Sequence, residues 1–188
     1  VFIYICIFAV EVCGQVVEQV DAGRKLQIYE ELATKDMLTK LYNRNAYDEW
    51  IKVNRRPEKA KIIIFDLNNL KQCNDTMGHA AGDTYIQNAA QIILHVFGNC
   101  GNCYRIGGDE FCVVIQGNDH SDMEDLFRHM RQEQDEFNAK NAIPQIQIAY
   151  GYAEFDPETD RDIEDTRSRA DDKMYQKKRE IKEGLKKK

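Results

Sequence analysis

The order of apolar segments along the chain is the feature that most constrains its fold. Lys61 to Leu67 (KIIIFDL) has the continuous apolar content of a short buried strand, and Ala80 to Phe97 carries apolar residues at helical spacing. The later segments are predicted, in chain order, as two strands, a helix, an alternating strand and a highly charged helix: Tyr104–Ile106, Phe111–Ile115, Met123–Lys140, Gln145–Tyr152 and Arg161–Lys182. The pattern therefore predicts helices and strands arranged around one sheet.

This succession, β-α-β-β-α-β, matches the split βαβ arrangement called ferredoxin-like, and a further helix is predicted before it at Arg44–Val53. The expected fold class is α+β, with a central antiparallel sheet flanked by helices. A chain of 188 residues is long enough for one such domain and a short appendage. Because one architecture serves many activities, the function has to be inferred from the site.

The N-terminal segment differs in composition from the rest. Residues 1–14 form an apolar stub, and its continuous run VFIYICIFAV is shorter than the roughly 20 residues that cross a bilayer. The stub suits either the end of a transmembrane helix or the last strand of an upstream sensor domain. Residues 15–35 mix polar and apolar side chains as in an amphipathic linker helix, which either caps the domain or acts as a signalling coiled coil. Since the chain starts with Val1, we expect it to be part of a longer protein.

Charge and cysteine content narrow the function classes. The formal net charge of −6 argues against a binder of nucleic-acid backbones, which needs clustered cations. An acidic protein can still bind a polyphosphate when divalent ions carry the opposing charge. The six cysteines do not resemble a disulfide framework, so we expect a reducing compartment. Cys100 and Cys103 form a single CxxC pair, which is weaker evidence for zinc than for an ordinary loop.

Two acidic segments follow or interrupt apolar strands. Asp66 comes directly after four apolar residues, and Asp109 and Glu110 follow two glycines between two strands. Taken alone, Asp66 is typical of an aspartate that ends a strand and caps the next turn. The glycine turn, taken alone, is typical of a solvated hairpin. We expected the glycines to allow positive φ angles and to leave bare main chain for a ligand. In a sheet with these strands as neighbours, the three carboxylates would come together.

Three carboxylates that close repel one another unless cations separate them. Mg²⁺ suits such a cluster, because it prefers oxygen ligands and is commonly completed by substrate phosphates. Two ions could hold an attacking hydroxyl and a transferring phosphate in line. The acidic residues of an acidic chain are therefore candidate metal ligands.

Four motifs in order resemble one known family. The signature GGDEF occurs at 107–111 with Arg105 before it, and three other segments resemble the family's opening, nucleotide-binding and closing motifs: DMLTKLYNR at 36–44, FDLNNLKQCND at 65–75 with GH at 78–79 and GD at 82–83, and ADDKMYQKK at 170–178. The resemblance is to the GGDEF-domain diguanylate cyclases. It implies a nucleotidyl cyclase-like palm fold with an N-terminal signalling helix, a GGDEF catalytic domain at 36–184 and a basic tail at 185–188.

The resemblance assigns metal and catalytic roles. It implies that Asp66, the Leu67 carbonyl, Asp109 and Glu110 bind Mg²⁺ or Mn²⁺, with two ions in each half-site. Asp109 also occupies the position of the proton acceptor for the attacking 3′-hydroxyl. Lys71 matches the lysine that offsets phosphate charge in the transition state, as a compact cation near an anion can.

The resemblance also assigns substrate contacts, which are implied for the signature turn, the nucleotide segment and the closing motif: Arg105, Gly107, Gly108, Asn74, His79, Asp83, Lys178 and Lys182. A carboxylate at Asp83 can accept from both adjacent donors of guanine, so GTP is favoured over ATP. Without the family, Asp83 would be interpreted as a helix N-cap. For Lys178 and Lys182 the simpler alternative is a solvated helix end.

The implied reaction joins two GTP molecules into cyclic di-GMP (c-di-GMP) with release of two pyrophosphates. Each domain holds one GTP, so a homodimer is expected, in a cytoplasmic domain that an upstream sensor or membrane segment could attach to the inner face of the membrane. Two alternatives remain open: a non-catalytic receptor or GTP-binding regulator, and a pure dimerisation module. The family's inhibitory RxxD site is replaced by GNCG at 98–101, so strong product inhibition through it is not expected.

Overall fold

The computed structural model describes residues 18–20, 23–25, 28–117, 122–140 and 145–186, with side chains up to residue 180. Its elements, numbered in chain order as α1, β1, α2, α3, β2, β3, α4, β4 and α5, are Arg44–Val53, Ala60–Leu67, Leu70–Met77, His79–Phe97, Asn102–Arg105, Glu110–Gln116, Met123–Lys140, Ile148–Glu154 and Ile163–Lys186. Residues 28–34, ahead of α1, are also helical. The apolar stub at 1–14 lies outside the described residues.

Within the described residues, a four-stranded sheet organises the fold in the order β2-β3-β1-β4. Strand β1 is central and pairs antiparallel with β3 on one side and β4 on the other. Its residues alternate between two cores, with Ile62 and Ile64 on one face of the sheet and Ile63 and Phe65 on the other. The strand order and the flanking helices confirm the predicted α+β, ferredoxin-like class.

Helices cover both faces of this sheet. On one face, β1 packs against α3 and α4, and the rings of Phe65 and Phe97 lie with their centroids 5.4 Å apart. On the other face, α1 and α5 bury Tyr47, Ala170 and Met174 against the strands. Because α5 is packed along the sheet on this second face, its side chains can reach the end of β1.

Gly151 in β4 sets how closely α5 approaches the sheet. A Cβ atom there would collide with main-chain atoms of the helix, the Ala170 carbonyl oxygen and the Met174 amide nitrogen. Ala170 and Met174 are buried, and Lys178 follows on the same side of the helix, since residues four apart share a face. Close packing at Gly151 therefore directs Lys178 toward the strand ends.

Most element positions agree with the sequence predictions. Helices α1 and α4 have the expected bounds, Arg44–Val53 and Met123–Lys140. Helix α2, Leu70–Met77, was not predicted, because eight mostly polar residues give little helical periodicity. The predicted basic tail at 185–188 is partly helical, since α5 continues to Lys186. Among the described helices, none is both long and apolar enough to cross a membrane.

Strand β4 begins at Ile148 rather than at the predicted Gln145. Both main-chain groups of Ile146 bond to a side chain instead of to a neighbouring strand. The Asn138 side chain donates to the Ile146 carbonyl at 2.8 Å and accepts from the Ile146 amide at 2.7 Å. These bonds tie the segment to α4, so the strand starts after the apolar alternation has begun.

Candidate active site

The two acidic segments meet at one end of the sheet. Asp66, near the end of β1, is the cross-strand partner of Glu110 at the start of β3. The Leu67 amide donates to the Asp109 carbonyl at 3.0 Å. Directly opposed residues of antiparallel strands project from the same face of the sheet. The fold therefore brings Asp66 alongside the signature turn, as expected from strand adjacency.

Arg105 holds the signature turn in place. Its guanidinium donates to the Gly108 carbonyl at 2.8 Å and to the two carboxylate oxygens of Asp36 at 3.1 and 3.3 Å. Asp36 also accepts from the Thr39 amide and hydroxyl, at 2.8 and 2.7 Å. Burial raises the pKa of Asp36, but the hydrogen bonds from Thr39 and Arg105 outweigh it and hold the pKa below its usual value. The described contacts of Arg105 thus fix the turn, and the substrate contact that the resemblance implies for Arg105 stays a prediction.

The glycines of the turn meet only part of the expectation. Neither Gly107 nor Gly108 has a positive φ, so the prediction of left-handed turn geometry is wrong. A Cβ atom on Gly107 would lie 2.7 Å from Oε2 of Glu110, the end of a flexible side chain that could move aside. Gly108 has open space around it and leaves bare main chain at the turn, as predicted. The Glu110 carboxylate is therefore folded back toward Gly107.

An ammonium group from α5 lies against Asp66. Nζ of Lys178 is 2.5 Å from Oδ1 of Asp66, and the two side chains are 23% and 7% exposed. Opposite charges attract strongly at this distance where water is largely excluded. Lys178 is thus part of the site and not of a solvated helix end. Lys182 lies one turn further along α5, but its side chain is outside the described part of the chain.

A cleft of about 450 Å³ opens beside these groups. Its walls come from the end of β1, the start of α2, the signature turn and α5: Leu67, Asn68, Asn69, Leu70, Lys71, Gln72, Asp75, Asp109 and Lys178. Helix α2 begins here, and its N-cap residue Asn69 makes no side-chain capping hydrogen bond. The first amides of a helix have no partner within it and carry partial positive charge. Together with Lys71 and Lys178, they make the cleft suitable for an anion.

The residues expected to bind a base lie on two consecutive helices. Asn74 is on α2, Asp83 is on α3, and the Asn74 side chain packs directly against Gly82. His79 is the first residue of α3 and is exposed. Because α3 begins at His79, Asp83 lies inside the helix with its side chain exposed, and the simpler interpretation of Asp83 as an N-cap is wrong. The two helices therefore present Asn74 and Asp83 close to each other.

Comparison with known proteins identifies the arrangement. A family model described as "Diguanylate cyclase, GGDEF domain" matches residues 33–183. The chain belongs to this family. The signature turn, the acidic strand end and the cleft between them are therefore features of a GGDEF domain.

Relatives of this GGDEF domain include diguanylate cyclase DgcS of Shewanella oneidensis, which is 36% identical over 101 residues, 50% of this chain and 34% of DgcS. Diguanylate cyclase DgcP of Escherichia coli is 30% identical over 154 residues, 77% of this chain and 44% of DgcP. The chain thus spans less than half the length of these relatives. The crystal structure of the coiled coil and GGDEF domain of DgcB from Caulobacter crescentus with c-di-GMP has a TM-score of 0.72 at 22% identity, and the match covers 92% of this chain and 94% of that one. A c-di-GMP-related function follows for the GGDEF domain.

The carboxylates of the GGDEF domain have the chemistry of a divalent-cation site. Asp66, Asp109 and Glu110 offer oxygen ligands, which Mg²⁺ prefers, and the Lys178 ammonium shows that a cation is accommodated against Asp66. Within the described ranges, no three or more His, Cys, Asp or Glu side chains are gathered into a ready metal cluster. Mutual repulsion of carboxylates accounts for their separation. The residue types therefore fit a divalent ion, although their side chains are not arranged around one in advance.

Two residues of the cleft region were not predicted from sequence. Asn68 is buried in the cleft wall, and the Tyr85 hydroxyl donates to the Asn68 carbonyl at 2.8 Å. The sequence contains one signal for Asn68, an asparagine directly after an apolar strand. Such a position is unusual, because asparagine is seldom fully buried. Tyr85 gave no signal, because its apolar helical position is typical of any core residue.

None of the four described cysteines lines this cleft, and none of them forms a disulfide: Cys73, Cys100, Cys103 and Cys112. Burial raises the pKa of Cys103 to about 12, which keeps the thiol protonated and poorly nucleophilic. Cys100 lies in the connection between α3 and β2, as interpreted, whereas Cys103 already belongs to β2.

Proposed function

We propose that this GGDEF domain is the catalytic unit of a diguanylate cyclase that joins two GTP molecules into c-di-GMP and releases two pyrophosphates. The observation that carries the proposal is the opposition of Asp66 and Glu110 across paired strands, beside a cleft that contains Lys71 and Lys178. Groups able to bind a divalent ion thus lie next to groups able to bind phosphate, and Asp109 lines the cleft itself. The family membership supports the same reaction.

The triphosphate of GTP binds in the cleft at the start of α2 in this proposal. Lys71 and Lys178 supply positive charge from two sides, and the first amides of α2 point their donors at the anion. Gly108 presents bare main chain, which lets a ligand approach the turn closely. Lys182 remains a predicted phosphate contact, because its position matches that of a cationic residue four positions after the closing-motif lysine.

Asp66, Asp109 and Glu110, together with the Leu67 carbonyl oxygen, are the groups that would hold Mg²⁺ or Mn²⁺, two ions in each half-site. Ions of this kind neutralise phosphate charge and acidify an attacking hydroxyl when bound. The chain contributes by presenting these oxygens on two hydrogen-bonded strands, which fixes their spacing. When the triphosphate binds, the Lys178 side chain moves, so that its ammonium leaves Asp66 and contacts the phosphates. The Asp66 carboxylate then becomes available to a metal ion.

Asn74 and Asp83 read the guanine base. Guanine presents two adjacent donors on one edge, and the exposed Asp83 carboxylate accepts both, whereas adenine has no such pair. The Asn74 amide, packed beside Gly82, supplies complementary donor and acceptor groups. His79 lies at the start of the same helix and contacts the substrate near the base.

The 3′-hydroxyl of one GTP attacks the α-phosphate of the other, and the reaction occurs twice. Each step forms one phosphodiester bond, breaks one phosphoanhydride bond and releases pyrophosphate. Asp109, which lines the cleft, accepts the hydroxyl proton. Because one domain holds one GTP, two domains must face each other in a homodimer.

The helical segment before the domain promotes this encounter. Ile28, Tyr29 and Leu32 are exposed large apolar side chains, and their spacing of three and four residues places them on one helical face. Pairing of this face with a second copy raises the effective concentration of the two domains. An upstream sensor would then act by changing that pairing, in the cytoplasm, where GTP is available.

Product analysis tests the proposal. Purified protein at high concentration is incubated with GTP and Mg²⁺, and the products are identified by mass. We expect c-di-GMP and pyrophosphate in a ratio of about 1:2 from the wild type. The Glu110→Ala variant should form no detectable product, because it lacks a carboxylate opposite Asp66.

Glu154→Ala is the matched control, since Glu154 is an exposed carboxylate at the other end of the sheet, 3.9 Å from Lys61. It should turn over GTP like the wild type. A wild type that binds GTP without turnover would indicate a receptor, and one that does not bind GTP would indicate a dimerisation module. Either outcome, or an unchanged rate for Glu110→Ala, would contradict the proposal.

A further inference from the structure

The main chain of Asn68 is held firmly just beyond the end of β1. Its amide donates to the Gln147 carbonyl at 2.9 Å, and its carbonyl accepts from the Tyr85 hydroxyl at 2.8 Å. The same hydroxyl accepts from the Gln147 amide at 2.9 Å. Burial raises the pKa of Tyr85 to about 12, so the hydroxyl stays protonated and can donate. Both main-chain groups of Asn68 are therefore satisfied without using its side chain.

The side-chain amide of Asn68 has the opposite status. The residue is 3% exposed, and neither Oδ1 nor Nδ2 has a hydrogen-bond partner among the described residues. Leaving a buried amide unsatisfied costs free energy, and most buried polar groups in proteins avoid it. A leucine of similar size would avoid this cost. The packing of the protein therefore does not explain why an amide is present at this position.

The position of Asn68 in the cleft provides the explanation. Asn68 lines the same cleft as Lys71, Asp109 and Lys178, two residues after Asp66. An amide adds two N–H donors there without adding charge. Since its atoms are covered, a ligand reaches them once the cleft side chains shift, and Lys71 and Lys178 are long and flexible enough to do so.

We propose that the Asn68 side chain is a direct contact to bound nucleotide, with Nδ2 donating to an oxygen of the triphosphate. The inference rests on the proposed nucleotide site and adds a residue to it. Asn68 is a binding residue whose donor complements the charges of Lys71 and Lys178. An amide that is unsatisfied in the protein gains its partner when the anion binds.

The test compares affinity and stability in the full chain, using Asn68→Leu. The probe is 3′-deoxy-GTP with Mg²⁺, which lacks the attacking hydroxyl and cannot be turned over. We expect calorimetry to show roughly 10- to 100-fold weaker binding, the usual effect of losing a hydrogen bond to a charged group. The melting temperature should be equal to or above that of the wild type, because a buried unsatisfied amide is removed.

Asn138→Leu is the matched control. Asn138 is a half-buried asparagine whose amide bonds both main-chain groups of Ile146. This variant should melt at a lower temperature while its folded form binds the probe like the wild type. The two substitutions thus have opposite expected effects on affinity and stability, which a general loss of folding quality cannot reproduce.

Asn68→Asp keeps the shape but replaces both donors with a charged acceptor oxygen that repels the triphosphate, so it reports on contact with the anion even if the leucine variant folds poorly. It should also bind the probe at least tenfold more weakly. Wild-type affinity in Asn68→Asp, or a lowered melting temperature with wild-type affinity in Asn68→Leu, would overturn the inference. Product formation by the wild type is scored separately. A wild type that binds the probe but makes no c-di-GMP contradicts the proposed function alone, and one that does not bind it contradicts both.

Discussion

Helix α5 forms ion pairs with two aspartates that lie outside the helix and are about equally buried. Asp160 and Asp66 are 3% and 5% exposed, and each is paired with a cation of this helix, Arg169 for Asp160 and Lys178 for Asp66. Their surroundings differ in what lies next to the carboxylate. This difference separates an aspartate that stabilises the fold from one that serves the site.

The Asp160 carboxylate is saturated with donors. Besides the Arg169 guanidinium, whose Nε lies at 3.0 Å, it accepts from the Thr166 hydroxyl at 2.7 Å and the Asp156 amide at 3.0 Å. Burial raises the pKa of Asp160, but these hydrogen bonds outweigh it and hold the pKa below the usual value. No acidic partner opposes it across a strand. Asp160 therefore anchors the start of α5 to the loop after β4.

Asp66 is held by the ammonium of Lys178 but faces Glu110 across the strand pair, beside an open cleft. What sets Asp66 apart is its position, next to Glu110 on the paired strand and beside the cleft, whereas Asp160 lies outside the cleft. Functional sites commonly give up local stability to place charged groups where a ligand binds. The comparison teaches that position relative to the cleft, and not burial, distinguishes the two roles.

The largest expected effect is on catalysis, with Asp66→Asn. Product formation should fall at least about 1000-fold, because loss of a metal-binding carboxylate removes several kcal/mol of charge stabilisation. The free energy of unfolding should fall less than in Asp160→Asn, because relief of repulsion from Glu110 partly offsets the lost attraction to Lys178. Initial rates and urea unfolding measure the two quantities. Retained activity in Asp66→Asn would contradict the claim that Asp66 serves the site.

Asp160→Asn should have the reverse signature. Its free energy of unfolding should fall by about 3 kcal/mol, because Arg169 and Thr166 lose a charged acceptor in a buried position. The folded variant should bind GTP as the wild type does, since Asp160 lies outside the cleft. Urea unfolding at neutral pH is the measurement. If both aspartates gave the same loss of stability, their position relative to the cleft would not separate their roles.

Lys178→Met sharpens the account of the functional aspartate. Affinity for 3′-deoxy-GTP should fall by about tenfold, the effect of one lost charged hydrogen bond. Affinity for Mn²⁺ alone should rise severalfold, because Asp66 loses a competing cation. Lys177→Met is the control, since Lys177 pairs at 3.3 Å with the exposed Glu180, and neither affinity should change. A rise or fall of both affinities together would contradict the proposed transfer of Lys178.

The smallest expected effect concerns acid stability. Because the pKa of Asp160 is lowered in the folded state, its stabilising contribution is present above the unfolded value of 3.8 and is lost as pH falls through the folded value. The difference in stability between wild type and Asp160→Asn should therefore shrink steadily below about pH 4. Urea unfolding between pH 7 and pH 3 measures it. A difference that stays constant over this range would mean that the Asp160 charge does not contribute.

Local patterns were enough to predict most of the fold. The apolar run of β1 and the helical periodicity of α3 and α4 depend on neighbouring residues, so the element order followed from sequence. The short helix α2 was missed because it gives little periodicity, and the start of β4 was misplaced because Asn138 occupies the bonds of Ile146. Such side-chain competition for main-chain groups leaves no periodic trace.

The site was only partly predictable. Strand adjacency was enough to place Asp66 next to Glu110, because the pairing of β1 with β3 sets the two residues opposite each other. The contact of Lys178 with Asp66 depends on how α5 packs against Gly151, which is a tertiary property. The unsatisfied amide of Asn68 likewise appears only once the surrounding atoms are placed.

The most direct test of the central claim counts divalent ions in the acidic site. Electron paramagnetic resonance measures Mn²⁺ bound per chain at saturating 3′-deoxy-GTP, for the wild type and Asp66→Asn. We expect two Mn²⁺ ions per wild-type chain, with a clear loss in Asp66→Asn at equal nucleotide occupancy. The account would be contradicted if the wild type bound no more Mn²⁺ than the nucleotide binds in the absence of protein. An equal number of bound Mn²⁺ ions in the wild type and Asp66→Asn would also contradict it.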